Sequence, residues 1–130
     1  MRSVDTNIVL RYILNDDPAQ AEIALQILSQ PCFVGLGVLM EAAWVMRSIY
    51  GLPRPSIAGA LETFVAIETV RVADETGVRW AIDRFRDHGA DFADMLHIVA
   101  SKGASSFASF EKHLAKQAGP ATPVPIERPS

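Results

Sequence analysis

Four carboxylates stand where this sequence offers the best footing for chemistry: Asp5, Glu41, Asp94 and Glu111. Asp5 ends a short strand-like stretch and leads through Thr6-Asn7 into the periodic run IVLRYIL, so it falls where a strand gives way to a helix. An Asp there suits a helix N-cap or a ligand at the edge of a sheet, and the residues alone leave both open. Glu41 interrupts the apolar stretch VGLGVLMEAAWVM. On an inner helix face its charge would require a partner or a cation; on an exposed stripe it would require neither, and its Ala neighbours admit either orientation. Asp91 and Asp94 lie three apart at a helix start. Asp91 has the signature of the N-cap, whereas Asp94, one turn in and leading an apolar helix, is the better candidate to project into a shared pocket. Glu111 opens the short helical stretch EKHLAKQ, another strand-to-helix junction.

Carboxylates gathered within a few ångström raise one another's pKa and destabilise a fold unless a cation neutralises them. Hard oxygen donors, with no Cys or His motif beside them, favour Mg²⁺ or Mn²⁺ over zinc. Such an ion lowers the pKa of a bound water, orients it for in-line attack on a phosphodiester and steadies the leaving oxygen. A metal-dependent nuclease is one reading of these acids, with helix caps as the live alternative.

The elements that must position these acids alternate. After the first strand and helix, Asn15-Asp16-Asp17-Pro18 breaks the chain, with Asp17 as N-cap and Pro18 as first residue of a helix that Pro31 closes. A buried strand over 32–36, a helix over 38–46 capped by Gly51, a turn-rich connector over 52–56, a helix over 57–67 and a strand over 69–72 follow. Val78, Ala81, Ile82 and Phe85 make one apolar face of a helix over 74–88 that His88-Gly89 ends. A helix led by Asp91, a weak strand over 105–108, the short helix at Glu111 and a last strand at Val124-Pro125-Ile126 complete the chain. A proline inside that last strand fits only an edge, because it cannot donate to the ladder, and the final residues are expected to fray. Alternating strands and helices argue for an α/β fold with a parallel sheet covered on both faces, in which ligands gather at the carboxyl ends of the strands.

At 130 residues and 49 % hydrophobic, the chain fits one domain, 1–130, with residues 121–130 supplying the edge strand and the tail. No apolar run reaches the roughly 20 residues of a membrane span, and the N-terminal stretch is unlike a secretory signal, so a soluble cytoplasmic protein is expected. The lone Cys32 sits among apolar residues and reads as packing. A net charge of −3 excludes bulk positive charge as a means of coating nucleic acid, yet an acidic, cation-binding site with a few rim cations is compatible with it. Arg11, Arg47, Arg54 and Lys112 are candidate phosphate contacts near the acid motifs, with solvated surface as the bland alternative. His88, His97 and His113 have no metal-ligand spacing and read as structural, and Trp44 and Trp80 as core or dimer packing.

VDTNIVLRYIL, VLMEAAWVM, GADFADMLHIVAS and SFASFEKHLAK resemble, in order and spacing, the motifs of PIN domains, specifically the VapC toxins of bacterial toxin–antitoxin pairs, over essentially the whole chain. The resemblance implies a three-layer α/β/α sandwich around a central parallel sheet. It implies a Mg²⁺- or Mn²⁺-dependent endoribonuclease that cleaves RNA, commonly pairs as a homodimer and is inhibited by a cognate antitoxin protein. By motif the family's four acids carry over to Asp5, Glu41, Asp94 and Glu111, with Asp5, Glu41 and Asp94 as metal ligands. Thr6 and Asn7 match the positions beside the first acid, and Asp91 keeps its capping role. The chain departs from the family at Ser109-Phe110-Glu111, where Thr-Phe-Asp is usual: the longer Glu suits water-mediated contact, and Ser109 takes the place of the Thr.

Two further readings compete. Asp5 as a covalent phosphoryl acceptor would require a second acid two residues on, where the chain has Asn7. A module that keeps the fold and binds RNA without catalysis is the other, and the substitution at Glu111 keeps it in view.

Overall fold

Short strands and long helices divide the chain unequally. The computed structural model describes residues 1–130, which form seven helices and five two-residue strands, every strand pairing in parallel. The chain is an α/β protein that packs as two compact units, Met1–Glu75 and Thr76–Ser130.

In the first unit, β1 (Arg2–Ser3), β2 (Cys32–Phe33) and β3 (Val70–Arg71) lie in that order, with Arg2 opposite Cys32 and Cys32 opposite Val70. Backbone bonds prolong the ladder beyond the strands, from Val4 N to the Phe33 carbonyl (3.1 Å) and from Val34 N to that of Arg71 (2.8 Å). Parallel neighbours require a crossover, and each here is a helix pair. α1 (Thr6–Leu14) and α2 (Pro18–Leu28) join β1 to β2, and α3 (Leu36–Ser48) and α4 (Arg54–Val65) join β2 to β3. Val4, Cys32, Val34 and Val70 are buried along the strands, with Val9, Leu39, Met46, Ile57 and Phe64 from the helices. The Tyr12 and Phe64 rings tie α1 to α4 at 6.0 Å between centroids. Cys32 packs fully buried, its thiol donating to the Ile27 carbonyl at 3.3 Å.

Local chemistry sets most boundaries. Asp17 caps α2 through a bond from Gln20 N (3.1 Å), with Pro18 in the first turn, as expected. Gly51, at φ +64°, closes α3 by donating its N–H to the Arg47 carbonyl. Two expectations are corrected. The connector over 52–56 is turn only to Pro53, because α4 starts at Arg54: Pro55 occupies its first turn, where a missing N–H costs nothing. Trp44 is not core; it is 60 % exposed on α3.

In the second unit, α5 (Glu75–Asp87) buries Val78, Ala81, Ile82 and Phe85, the face anticipated for it. α6 (Phe92–Ala100) follows Gly89 (φ +68°), and Phe92 packs edge-on to Phe85 at 5.9 Å. β4 (Phe107–Ala108) pairs with β5 (Ile126–Glu127), and α7 (Leu114–Ala118) lies between them in sequence. The last strand is thus displaced by two residues from its expected start. Pro125 precedes it and contributes only its carbonyl, which accepts from Phe107 N at 2.8 Å. Arg84 closes α7, donating Nε to the Gln117 carbonyl (2.6 Å) and a terminal nitrogen to that of Lys116 (3.2 Å). No helix is long and apolar enough to cross a membrane.

Candidate functional site

Asp5 follows the buried Val4 at the carboxyl end of β1, in extended conformation (φ −91°, ψ 176°), and α1 begins at the next residue. Its Oδ1 accepts from Ile8 N at 3.3 Å, so the cap seen as one alternative is made. Asp5 is nevertheless exposed, and a carboxylate has acceptor capacity well beyond one long bond. β2 delivers α3 in the same way, with Gly35 at the N-cap making no side-chain cap, and one turn and a half along α3 stands Glu41. The Thr6 hydroxyl, on a residue only 9 % exposed, donates to Oε1 of Glu41. Glu41 is itself exposed, so of its two orientations the structure selects the outer one, while giving it a partner.

Asp5, Thr6, Asn7 and Glu41 meet in one cavity of about 330 Å³, completed by Leu10, Arg11, Val45, Ile49 and Tyr50. It opens beyond the carboxyl ends of two adjacent parallel strands, where α/β proteins bind ligands. Two exposed carboxylates and an exposed amide, beside a buried hydroxyl that orients one of the carboxylates, are hard oxygen donors that fit a Mg²⁺ or Mn²⁺ ion keeping several of its waters. Arg11 is fixed at the rim: Nε donates to Gln20 Oε1 (2.8 Å) and a terminal nitrogen to Asp16 Oδ1 (2.9 Å). The Tyr50 hydroxyl donates to the other oxygen of Asp16 at 3.0 Å. Those two donors, Tyr50 foremost, hold the Asp16 carboxyl below its ordinary range.

The second unit carries the other acids. Asp91 caps α6 by accepting from Asp94 N (3.0 Å), the role expected of it. Asp94, in the first turn, is half-buried, and burial pushes its carboxyl up, with the charges of Asp91 and Glu111 adding to the shift and His97 opposing it. Glu111 does not open a helix. It lies three residues before α7, in a turn where its N–H donates to Ser109 Oγ (3.1 Å) and its Oε1 accepts from His113 N (3.2 Å). The Ser109 and Glu111 side chains satisfy these two N–H groups in the turn ahead of α7.

The first unit therefore assembles Asp5, Thr6, Asn7 and Glu41, and the second sets Asp94 in the field of Asp91 and Glu111. Neither holds a group of three or more His, Cys, Asp or Glu side chains that forms a ready-made metal cage. Of the candidate cations, Arg11 reaches the cavity; Arg47 and Lys112 are exposed. Tyr50 was not a suspect by sequence, since a Tyr ahead of a helix-closing Gly carries no sign of the Asp16 that anchors it 34 residues away. His97 was set aside as structural, and only its electrostatic effect on Asp94 marks it out. Comparison of the chain with protein-family models, with curated proteins and with solved structures finds no match.

Proposed function

We propose that this protein is a Mg²⁺- or Mn²⁺-dependent endoribonuclease of the PIN type, acting in the cytoplasm as the toxin of a toxin–antitoxin pair, with the three-layer α/β/α sandwich of that family. The observation that carries the reading is the cavity at the ends of β1 and β2, where Asp5 and Glu41 face one solvent-filled space with Thr6 bonded to Glu41. When bound there, the ion would supply an activated water and charge stabilisation for phosphodiester hydrolysis. Asp5 and Glu41 would hold the ion, Thr6 fixes the Glu41 carboxylate, and the Asn7 amide, in the same cavity, would steady a carboxylate or a water beside them. The resemblance gives Asp94 and Glu111, in the second unit, a metal-binding and a water-positioning role respectively. The raised pKa of Asp94 supports a functional role for it, since carboxyls shifted by burial and like charge are a recurrent mark of reactive sites. Exposed Trp44 and Ile49 support association with a protein partner, a second copy or the antitoxin.

Incubation of the purified protein with structured and single-stranded RNAs in Mg²⁺ is expected to give cleavage that EDTA abolishes and Asp5→Ala removes. Cleavage that survives both treatments contradicts the proposal.

A further inference from the structure

Along α3, Glu41, Val45 and Ile49 follow at four-residue intervals and all line the cavity in the first unit, so its wall turns from acidic to apolar towards the end of the helix; Leu10, Arg11 and Tyr50 line the cavity as well. Tyr50 is 41 % exposed, yet its hydroxyl is tied to Asp16, and the same carboxylate takes a terminal nitrogen of Arg11. An exposed ring held by its hydroxyl is a rigid platform, and little conformational entropy is lost when a ligand packs on it. The bond to Asp16 ties the end of α3 to the α1–α2 connection and leaves the ring itself 41 % exposed in the cavity lining.

Resting on the nuclease reading above, we infer that this end of the cavity holds one unpaired nucleotide beside the scissile phosphate, its base packed on Tyr50 and the Val45–Ile49 wall and its phosphate near Arg11. The volume, about 330 Å³, is at the small end of ligand pockets and suits a single nucleotide unit. A base in a duplex is already stacked on both faces, so the platform selects single-stranded RNA. Asp16 is the positioning residue: it touches no substrate and orders both the ring and the guanidinium.

The test is calorimetric binding of nucleoside 5′-monophosphates and of ribose 5-phosphate in Mg²⁺, beside RNA cleavage by the same preparation. The mononucleotides are expected to bind about tenfold more tightly than ribose 5-phosphate, Tyr50→Leu to erase that preference, and Tyr50→Phe, which keeps the ring and frees it from Asp16, to keep only part of it. Circular dichroism checks folding; should Tyr50→Leu fail to fold, Ile49→Ala replaces it: it trims the exposed apolar wall beside the ring, is expected to narrow the preference several-fold, and overturns the inference if the preference stays intact. Equal binding of the two ligands by the wild type, or a preference that persists in Tyr50→Leu, overturns the inference. Cleavage without a Tyr50-dependent preference refutes the platform and leaves the nuclease; a Tyr50-dependent preference without cleavage refutes the nuclease and leaves a nucleotide-binding site.

Discussion

The Thr6 hydroxyl donates to Oε1 of Glu41, joining residues 35 positions apart. Thr6 opens the helix after β1, and Glu41 lies in the helix after β2, so the parallel pairing of Arg2 with Cys32 and Ser3 with Phe33 is what brings them together. The bond leaves the second carboxylate oxygen of Glu41 for the cavity and fixes its direction. Oriented carboxylates bind metal more tightly than free ones, because less rotamer entropy is lost on binding.

Removing that donor tests its role. Thr6→Val keeps the buried volume and deletes the hydroxyl, and it is expected to weaken Mn²⁺ binding about tenfold, whereas Thr6→Ser stays close to wild type. Electron paramagnetic resonance of free Mn²⁺ during titration reads the difference. Equal Mn²⁺ affinity in Thr6→Val and the wild type removes Thr6 from the account.

Asp94 has a pH signature. Burial first, then Asp91 and Glu111, raise its carboxyl pKa above the unfolded value. A group raised in this way favours the fold in its neutral form: the contribution is complete below the unfolded pKa, about 4, and is lost as pH rises through the folded one. At pH 7 ionised Asp94 therefore opposes folding, so Asp94→Asn in EDTA is expected to raise the melting temperature by a few degrees at most, the side chain being largely hydrated. The gap should close below about pH 3. A lower melting temperature for Asp94→Asn at pH 7 would show that the carboxylate stabilises the fold.

Much of the local architecture is legible in the residues, because its causes are local. Asp17 and Pro18 start α2 by a side-chain cap and a pre-set φ, Asp91 caps by its own side chain, and the α5 face shows in its periodicity. What sequence reading misplaced depends on partners far along the chain or on a neighbour's chemistry. Pro55 looks like a breaker until it is seen to fall in a first turn, and Glu111 looks like a helix start but lies in a turn held by its own side chain and Ser109. The strands are shorter than their apolar runs, since Leu36 belongs to α3 and Val34 joins the ladder by a single bond to Arg71. The same division holds at the site. Asp5 and Glu41 stand out by type and place, whereas Tyr50 acquires its role from a bond to Asp16 that no spacing foretells.

Two glycines separate conformation from packing. Gly51 (φ +64°) has open space where a Cβ would stand, so Gly51→Ala is expected to cost about 1 kcal/mol, from backbone strain alone. Gly119, at φ 77° and ψ −176°, occupies a region nearly restricted to glycine, and a Cβ there would come within 2.7 Å of the Arg84 guanidinium. Since Arg84 holds the Gln117 and Lys116 carbonyls, Gly119→Ala is expected to cost about 2–4 kcal/mol. Urea unfolding measures both; equal costs would mean that Arg84 moves aside freely.

The central claim is that Asp5 and Glu41 hold the catalytic ion, and the Mg²⁺ dependence of single-turnover RNA cleavage tests it most directly. With Glu41→Gln, which keeps a Thr6 acceptor and removes the charge, the account predicts a curve displaced to at least tenfold higher Mg²⁺. Curves that superimpose for the variant and the wild type would contradict it.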